Sequence, residues 1–258
     1  LSRLPSKHVF SYNSTMTRKF RAFSSIELSG DDDELILDED ESYHLGKVLR
    51  VQVGSSLEVL DGKGSLADAE IAQLDRRATR VKILGRKSFA PPNPFFRLAV
   101  AMTKANRWEE IIRPLTEMGV GRITPLFSER TEARIPSDKE MSKLAKWRKL
   151  AIEACKQSGN PWLPEIDHPV RFGELMRDKE SPWFMASLRT HSVKPLVEFE
   201  RKTDKIQLII GPEGGWAEEE EDLASENGVN VFSLGPNILR TETAALCALA
   251  VARVGFLD

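Results

Sequence analysis

The chain predicts an α/β fold in two units, a small β domain followed by a mainly parallel α/β sheet. Three observations carry that expectation. Short, turn-separated strand signals crowd residues 26–89. Strand and helix signals alternate from residue 96 onward, and a proline-rich stretch, Ala90-Pro91-Pro92-Asn93-Pro94, divides the two regions. Short strands at close spacing point to a small barrel, and alternation points to a parallel sheet. Prolines favour extended backbone and stiffen a connection, so the domain linker is placed at residues 90–95. A chain of 258 residues suits about two domains.

The elements follow in order. Before Glu27 the chain has no Asp or Glu, but it carries Arg3, Lys7, Arg18, Lys19, Arg21 and six serines. A basic, Ser-rich, acid-free leader over residues 1–25 has the composition of an organellar transit peptide, so a chloroplast or a mitochondrion is the expected destination, with the cytoplasm the alternative. Residues 34–37, 47–53, 56–60, 66–74 and 80–84 predict strands, punctuated by Val53-Gly54, Asp61-Gly62-Lys63-Gly64 and Gly85. The acidic run around Asp31 to Glu41 predicts a solvated flank that repels anions. In the second unit, residues 96–102, 122–126, 183–188, 205–210 and 229–234 predict strands. Trp108, Ile111, Ile112, Leu115 and Met118 recur at helical spacing, as do Met141, Leu144, Trp147, Ala151 and Ala154. The last predicted helix, 242–254, is rich in Ala, which suits close packing under a crossing loop or at a dimer contact.

Composition sets the outer limits. Hydrophobic residues make up 41% and charged residues 29%, with a net charge of −2, as in ordinary globular proteins. No apolar run approaches the ~20 residues a membrane-spanning helix needs. The two cysteines, Cys155 and Cys247, lie in predicted amphipathic helices, where they read as small buried apolar groups rather than a disulfide or zinc framework.

The densest information lies near the C-terminus. Ile209-Ile210-Gly211-Pro212-Glu213-Gly214-Gly215-Trp216 and Ser233-Leu234-Gly235-Pro236-Asn237-Ile238-Leu239-Arg240-Thr241-Glu242-Thr243-Ala244-Ala245 each leave a predicted strand, turn on Gly and Pro, and enter a predicted helix. If their strands are adjacent, the two turns form a rigid ligand cleft at the carboxyl edge of the sheet. Neither turn is a phosphate loop, since there is no Gly-Lys-Ser/Thr and no G-x-G-x-x-G.

These two runs resemble the knotted SPOUT methyltransferases and, more narrowly, the RsmE-type family. Other motifs in the same order extend the resemblance from about Arg18 to the C-terminus. They are His44-Leu45-Gly46-Lys47-Val48-Leu49-Arg50, Thr116-Glu117-Met118-Gly119-Val120, Ser128-Glu129-Arg130-Thr131, and Trp147-Arg148 with Ile152-Glu153-Ala154-Cys155-Lys156-Gln157-Ser158-Gly159. The resemblance implies a PUA-like RNA-binding barrel over residues 26–89 and a trefoil-knotted SPOUT domain over 96–258. It also implies methyl transfer from S-adenosyl-L-methionine to N3 of a uridine in small-subunit ribosomal RNA, without a metal, by a homodimer. The partner is that RNA or the assembled small subunit.

Carried onto this chain, the cofactor-binding residues are Leu188, Gly211, Pro212, Glu213, Gly214, Gly215, Leu234, Gly235, Asn237, Ile238 and Leu239. Backbone groups on rigid loops can read an adenine edge without a phosphate anchor. Arg240 adjoins the second loop and is the first choice for stabilising charge on the uracil, with Glu242 a candidate base. Thr241 and Thr243 are candidate helix caps. Arg21, His44, Lys47, Arg50, Lys104 and Arg130 are the expected RNA contacts. The acidic stretch Glu218 to Asp222 falls in a first helical turn, where negative charge offsets the helix dipole. Pro114 and Asn160 stand where the family carries Lys and Arg. These lost cations motivate the alternative, a non-catalytic RNA-binding assembly factor on the same fold.

Overall fold

Two hydrogen-bonded sheets, one on each side of the proline stretch, organise the chain. The computed structural model describes residues 19–104, 107–178, 182–187, 194–195 and 204–256. The first sheet contains β1 (Phe20–Phe23), β2 (Glu34–Ile36), β3 (Ser56–Leu60), β4 (Ser65–Gln73) and β5 (Arg80–Ser88), in the order β1-β3-β4-β5-β2. Alternate side chains along these strands face one core, among them Leu35, Leu57, Val59, Ala67, Ala69, Ile71, Val81 and Ile83. Two register shifts between β4 and β5 bend the pair.

Two expectations change here. Residues 20–23 lie inside the stretch expected as a leader, yet they pair in parallel with β3 and bury Ala22 and Phe23. The β domain therefore includes β1 and does not begin at residue 26. The predicted strand over 47–53 is instead helical in its first part. The Asp38 carboxylate accepts the Glu41 N–H at 2.9 Å and starts α1 (Glu39–Tyr43), which runs on into a π-helical turn, His44–Leu49. Arg50 closes the turn at φ 55°. A short apolar run cannot be told from a strand by periodicity alone, and the upstream cap decided it.

The second sheet contains β6 (Phe95–Ala101), β7 (Arg122–Phe127), β8 (Glu165–Ile166), β9 (Val170–Arg171), β10 (Trp183–Ala186), β11 (Lys194–Pro195), β12 (Lys205–Ile210) and β13 (Asn230–Ser233). Its order is β11-β13-β10-β12-β6-β7-β8, with β9 also on β7, and the pairings are parallel. β12 and β13 are thus not adjacent, since β10 lies between them. Both faces are covered, as a parallel sheet requires. Leu98, Val100, Leu208 and Ile210 face one cluster, while Ala99, Met185 and Ile209 face the other. The helix α7 (Thr241–Phe256) packs on the first face through Ala245, Ala248, Leu249 and Ala252. Its small side chains therefore serve its own sheet.

The helix predicted over 108–118 divides at Ile111 into α2 (Arg107–Glu110) and α3 (Ile112–Glu117). Pro114 is the third residue of α3, where an N–H has no intrahelical acceptor, so its missing donor costs no hydrogen bond. α4 (Ser137–Ser158) ends at Gly159, at φ 77°. The short α5 (Phe172–Leu175) and α6 (Glu218–Glu226) complete the fold.

The β domain docks on α4. Phe23, Leu60 and Leu66 form one cluster with Cys155, Ile152 and Leu163. Burial raises the Cys155 thiol to about 12, so it is a packing group. Lys156, 6% exposed, reaches across to Glu41 at 2.7 Å. A Cβ on Gly64 would lie 2.2 Å from the Trp162 ring, so only glycine admits this contact.

Candidate cofactor cleft

Three loops leave the carboxyl ends of β10, β12 and β13 and meet around a cleft of about 240 Å³. Ala186 and Ser187 come from the first, Gly211 to Gly215 from the second, and Leu234, Asn237, Ile238 and Leu239 from the third. The insertion of β10 between the other two strands brings its own loop into the wall. Specific bonds lock the loops together. Thr241 Oγ1 donates to the Gly211 carbonyl at 3.0 Å, which ties the start of α7 to the second loop. Trp216 Nε1 donates to the Ala186 carbonyl at 2.8 Å, which ties the second loop to the first. The Trp216 ring packs on Phe172 with centroids 5.1 Å apart. A Cβ on Gly211 would stand 2.9 Å from that indole, so glycine at this position lets the loop lie flat on the tryptophan. Gly215 turns the chain at φ 69°.

Arg130 closes one side, its Nη1 donating to the Gly214 carbonyl at 2.9 Å. On another side, Ser187 Oγ and Glu221 Oε1 are 3.0 Å apart. Within the acidic start of α6, Glu220 is structural. Buried Glu220 accepts the Ala217 N–H at 3.0 Å and the Glu129 N–H at 2.9 Å.

The expected residues sort as follows. Gly211, Pro212, Glu213, Gly214, Gly215, Leu234, Asn237, Ile238 and Leu239 line the cleft. Gly235 does not; it shapes the turn at φ 113° and bonds Ser233 Oγ. Leu188 lies outside the described residues. Arg240 is exposed just beyond Leu239, and its carbonyl accepts the Ala244 N–H at 2.8 Å at the start of α7. Glu242 does not line the cleft. Thr241 and Ala244 occupy that face of α7, and one Glu242 carboxylate oxygen is buried without a hydrogen bond.

Among the expected RNA contacts, Arg130 belongs to the cleft wall. His44, Lys47 and Arg50 share the π-helical turn of the β domain and its end, with Lys47 and Arg50 exposed. Lys104 pairs with Glu132. Arg21 is committed internally, bonding Glu58 at 2.8 Å and the carbonyls of Lys156 and Gln157 at 3.0 and 3.1 Å, which makes it a clasp between the two units. Asn160 is also structural, donating to the Thr116 carbonyl at 2.9 Å and accepting the Trp162 N–H at 3.0 Å.

Sequence reading missed Trp216, Ser187 and Glu221. Trp216 directly follows Gly215 and Glu221 lies in the acidic helix start, so both offered a signal, whereas Ser187 reaches the cleft through strand order.

The cleft combines apolar walls, backbone polar groups on fixed loops, two carboxylates (Glu213 and Glu221) and one guanidinium. Such a lining suits a nucleoside that carries a cationic centre and an amino-acid zwitterion, which fits S-adenosylmethionine. The comparisons agree with this geometry. Residues 91–253 match the family model of an RNA methyltransferase domain, and residues 37–84 match that of an RNA methyltransferase PUA domain. Ribosomal RNA small subunit methyltransferase E of Synechocystis sp. is 36% identical over 81% of this chain and 69% of its own length. The protein of that name from Aquifex aeolicus is 30% identical over 84% of this chain and 93% of its own. A Legionella pneumophila methyltransferase, solved with the bound cofactor SAM, superposes with a TM-score of 0.84 at 32% identity, covering 92% of this chain and 98% of the other. Ribosomal RNA small subunit methyltransferase E from Neisseria gonorrhoeae, solved with S-adenosyl methionine, gives a TM-score of 0.81 at 28% identity, covering 92% of this chain and 97% of the other. With both domains matched in order, and relatives alike over most of its length, this chain belongs to the ribosomal RNA small subunit methyltransferase E family.

Proposed function

We propose that this protein methylates N3 of a uridine in small-subunit ribosomal RNA, with S-adenosyl-L-methionine as methyl donor. The carrying observation is the three-loop cleft, whose locked backbone and mixed charge fit that donor and whose family relatives are named for this RNA. The bound sulfonium supplies an electrophilic methyl, whose bond to sulfur breaks as its bond to N3 forms. The protein's task is alignment, which removes most of the entropic barrier. Trp216 and Thr241 hold the loops so that little reorganises during reaction. N3 loses its proton to solvent as it is methylated, so negative charge develops on the uracil oxygens. The exposed Arg240 guanidinium at the cleft rim is placed to stabilise it.

Family resemblance supports a trefoil knot in the C-terminal domain and a homodimer. The strongly exposed Val254 (76%) on α7 supports a contact there. The acid-free basic leader supports an organelle, chloroplast or mitochondrion, as the site of the target subunit. Nothing in the fold favours the assembly-factor alternative, because Pro114 and Asn160 both have structural places away from the cleft lining.

Purified protein incubated with S-adenosylmethionine and unmethylated small subunits should yield 3-methyluridine by nucleoside mass spectrometry. Methyl on another base would refute the N3 assignment, and cofactor binding without any transfer would favour the assembly factor.

A further inference from the structure

A second cleft, of about 620 Å³, opens on the same carboxyl edge, past the end of β7. It is separated from the cofactor cleft by a narrow ridge, Ser128 to Thr131. Arg130 faces the cofactor side, while Ser128, Glu129 and Thr131 face the second cleft. The ridge is rigid. Thr131 Oγ1 accepts the Ser128 N–H at 3.0 Å, Thr131 N–H donates to the Ser128 carbonyl at 3.1 Å, and the Glu129 N–H is held by Glu220 at 2.9 Å. A fixed wall between two clefts fixes the distance between whatever they hold.

Arg134 and Arg171 line the second cleft from different elements, the loop after β7 and the end of β9. Both are exposed, and neither guanidinium has an ion-pair or hydrogen-bond partner among the described residues. This contrasts with Arg21 and Arg97, which are spent on largely buried carboxylates. Of the cleft's carboxylates, Glu220 is spent on two backbone N–H groups, which leaves Glu129 and Glu219 on the walls. Two cations amid two carboxylates do not suit a continuous run of phosphates. They suit one phosphate seated between the arginines, with polar groups left for the sugar and base edge.

We propose that the second cleft holds a nucleotide flanking the methylated uridine, its phosphate bound by Arg134 and Arg171. The proposal rests on the RNA substrate read above and adds where a neighbouring nucleotide sits. It gives these arginines a role in register, since phosphate contacts position a strand without reading its sequence.

The test uses the full chain and a small-subunit rRNA fragment that spans the methylated site, titrated over a range of salt. Arg134→Gln with Arg171→Gln should weaken binding at least ~10-fold and reduce the magnitude of the salt slope by about 1, the loss of one phosphate contact. S-adenosylmethionine affinity should stay unchanged. Arg134→Lys with Arg171→Lys should retain most of the slope, which separates charge from folding. If the Gln variant binds the fragment with unaltered affinity and slope, the second cleft holds no phosphate and the inference fails alone. If the unmodified protein binds the cofactor but neither the fragment nor the assembled small subunit, the RNA reading fails with it.

Discussion

Arg240 is the residue on which we propose that the chemistry turns. Its backbone is fixed, because its carbonyl closes the first turn of α7, while its side chain is exposed at the cleft rim. A group that meets the uracil only as charge develops contributes to turnover more than to binding. Arg240→Ala should therefore lower kcat by a factor of ~10² or more while calorimetric affinity for S-adenosylmethionine changes little. Equal losses in turnover and cofactor binding would show that the side chain only shapes the loop. The other catalytic candidate, Glu242, shows how little sequence adjacency decides. One residue along α7 turns a side chain by about 100°, enough to move it off the face that Thr241 and Ala244 present to the cleft. Arg21 makes the same point for RNA contacts: a cation in an acid-free stretch invited a phosphate, yet Glu58 and two helix-end carbonyls take it.

At the scale of elements, α4 joins the two units. Lys156 sits near its C-terminal end, bridging Glu41 at 2.7 Å and Glu153 at 2.9 Å. Burial alone would lower the Lys156 ammonium, but the two carboxylates hold it above its ordinary value of 10.5. Folding thus favours the charged lysine. On the alkaline side its contribution is lost as pH rises through the higher folded value, and on the acid side it is lost as Glu41, which burial holds above its ordinary 4.5, takes up a proton. Removing one partner of a buried pair strands the other, a loss of about 3–5 kcal/mol. Lys156→Met should cost roughly that much in denaturant unfolding, and Glu41→Leu in the same chain should restore much of it. A cost as small as that of removing Lys149, whose partner Asp40 is exposed, would mean that water reaches the junction.

For the whole molecule, the decisive relation is between the β domain and the cofactor cleft. The β domain packs beside Trp162 and Leu163, just before β8 begins, whereas the cleft lies where β10, β12 and β13 end. Four strand spacings separate β8, at one edge of the sheet, from β10 in its interior, about 20 Å. The exposed Lys47 and Arg50 are therefore poorly placed to grip RNA over their own chain's cleft. In a homodimer, one subunit's β domain can serve the other's cofactor. Mixing an Arg50→Glu chain with an Arg240→Ala chain should then restore activity, because each mixed dimer contains one intact composite site. A monomer at micromolar concentration, or mixed dimers that remain inactive, would overturn the shared site.

The sequence by itself determined the two-unit architecture and the two Gly/Pro turns that enter the cleft wall. Those features are written locally: glycine and proline at a strand end leave few conformations, and alternating patterns fix the element type. Tertiary structure decided what local pattern leaves open. It drew Phe20–Phe23 into the first sheet because β3 offered an edge, and it ran the capped helix from Asp38 through a stretch that alone reads as strand. It also threaded β10 between β12 and β13, which brought Ser187 into the cleft wall. Strand order is set by which apolar faces can be buried together, and the chain between those faces is too long for any local signal to report it.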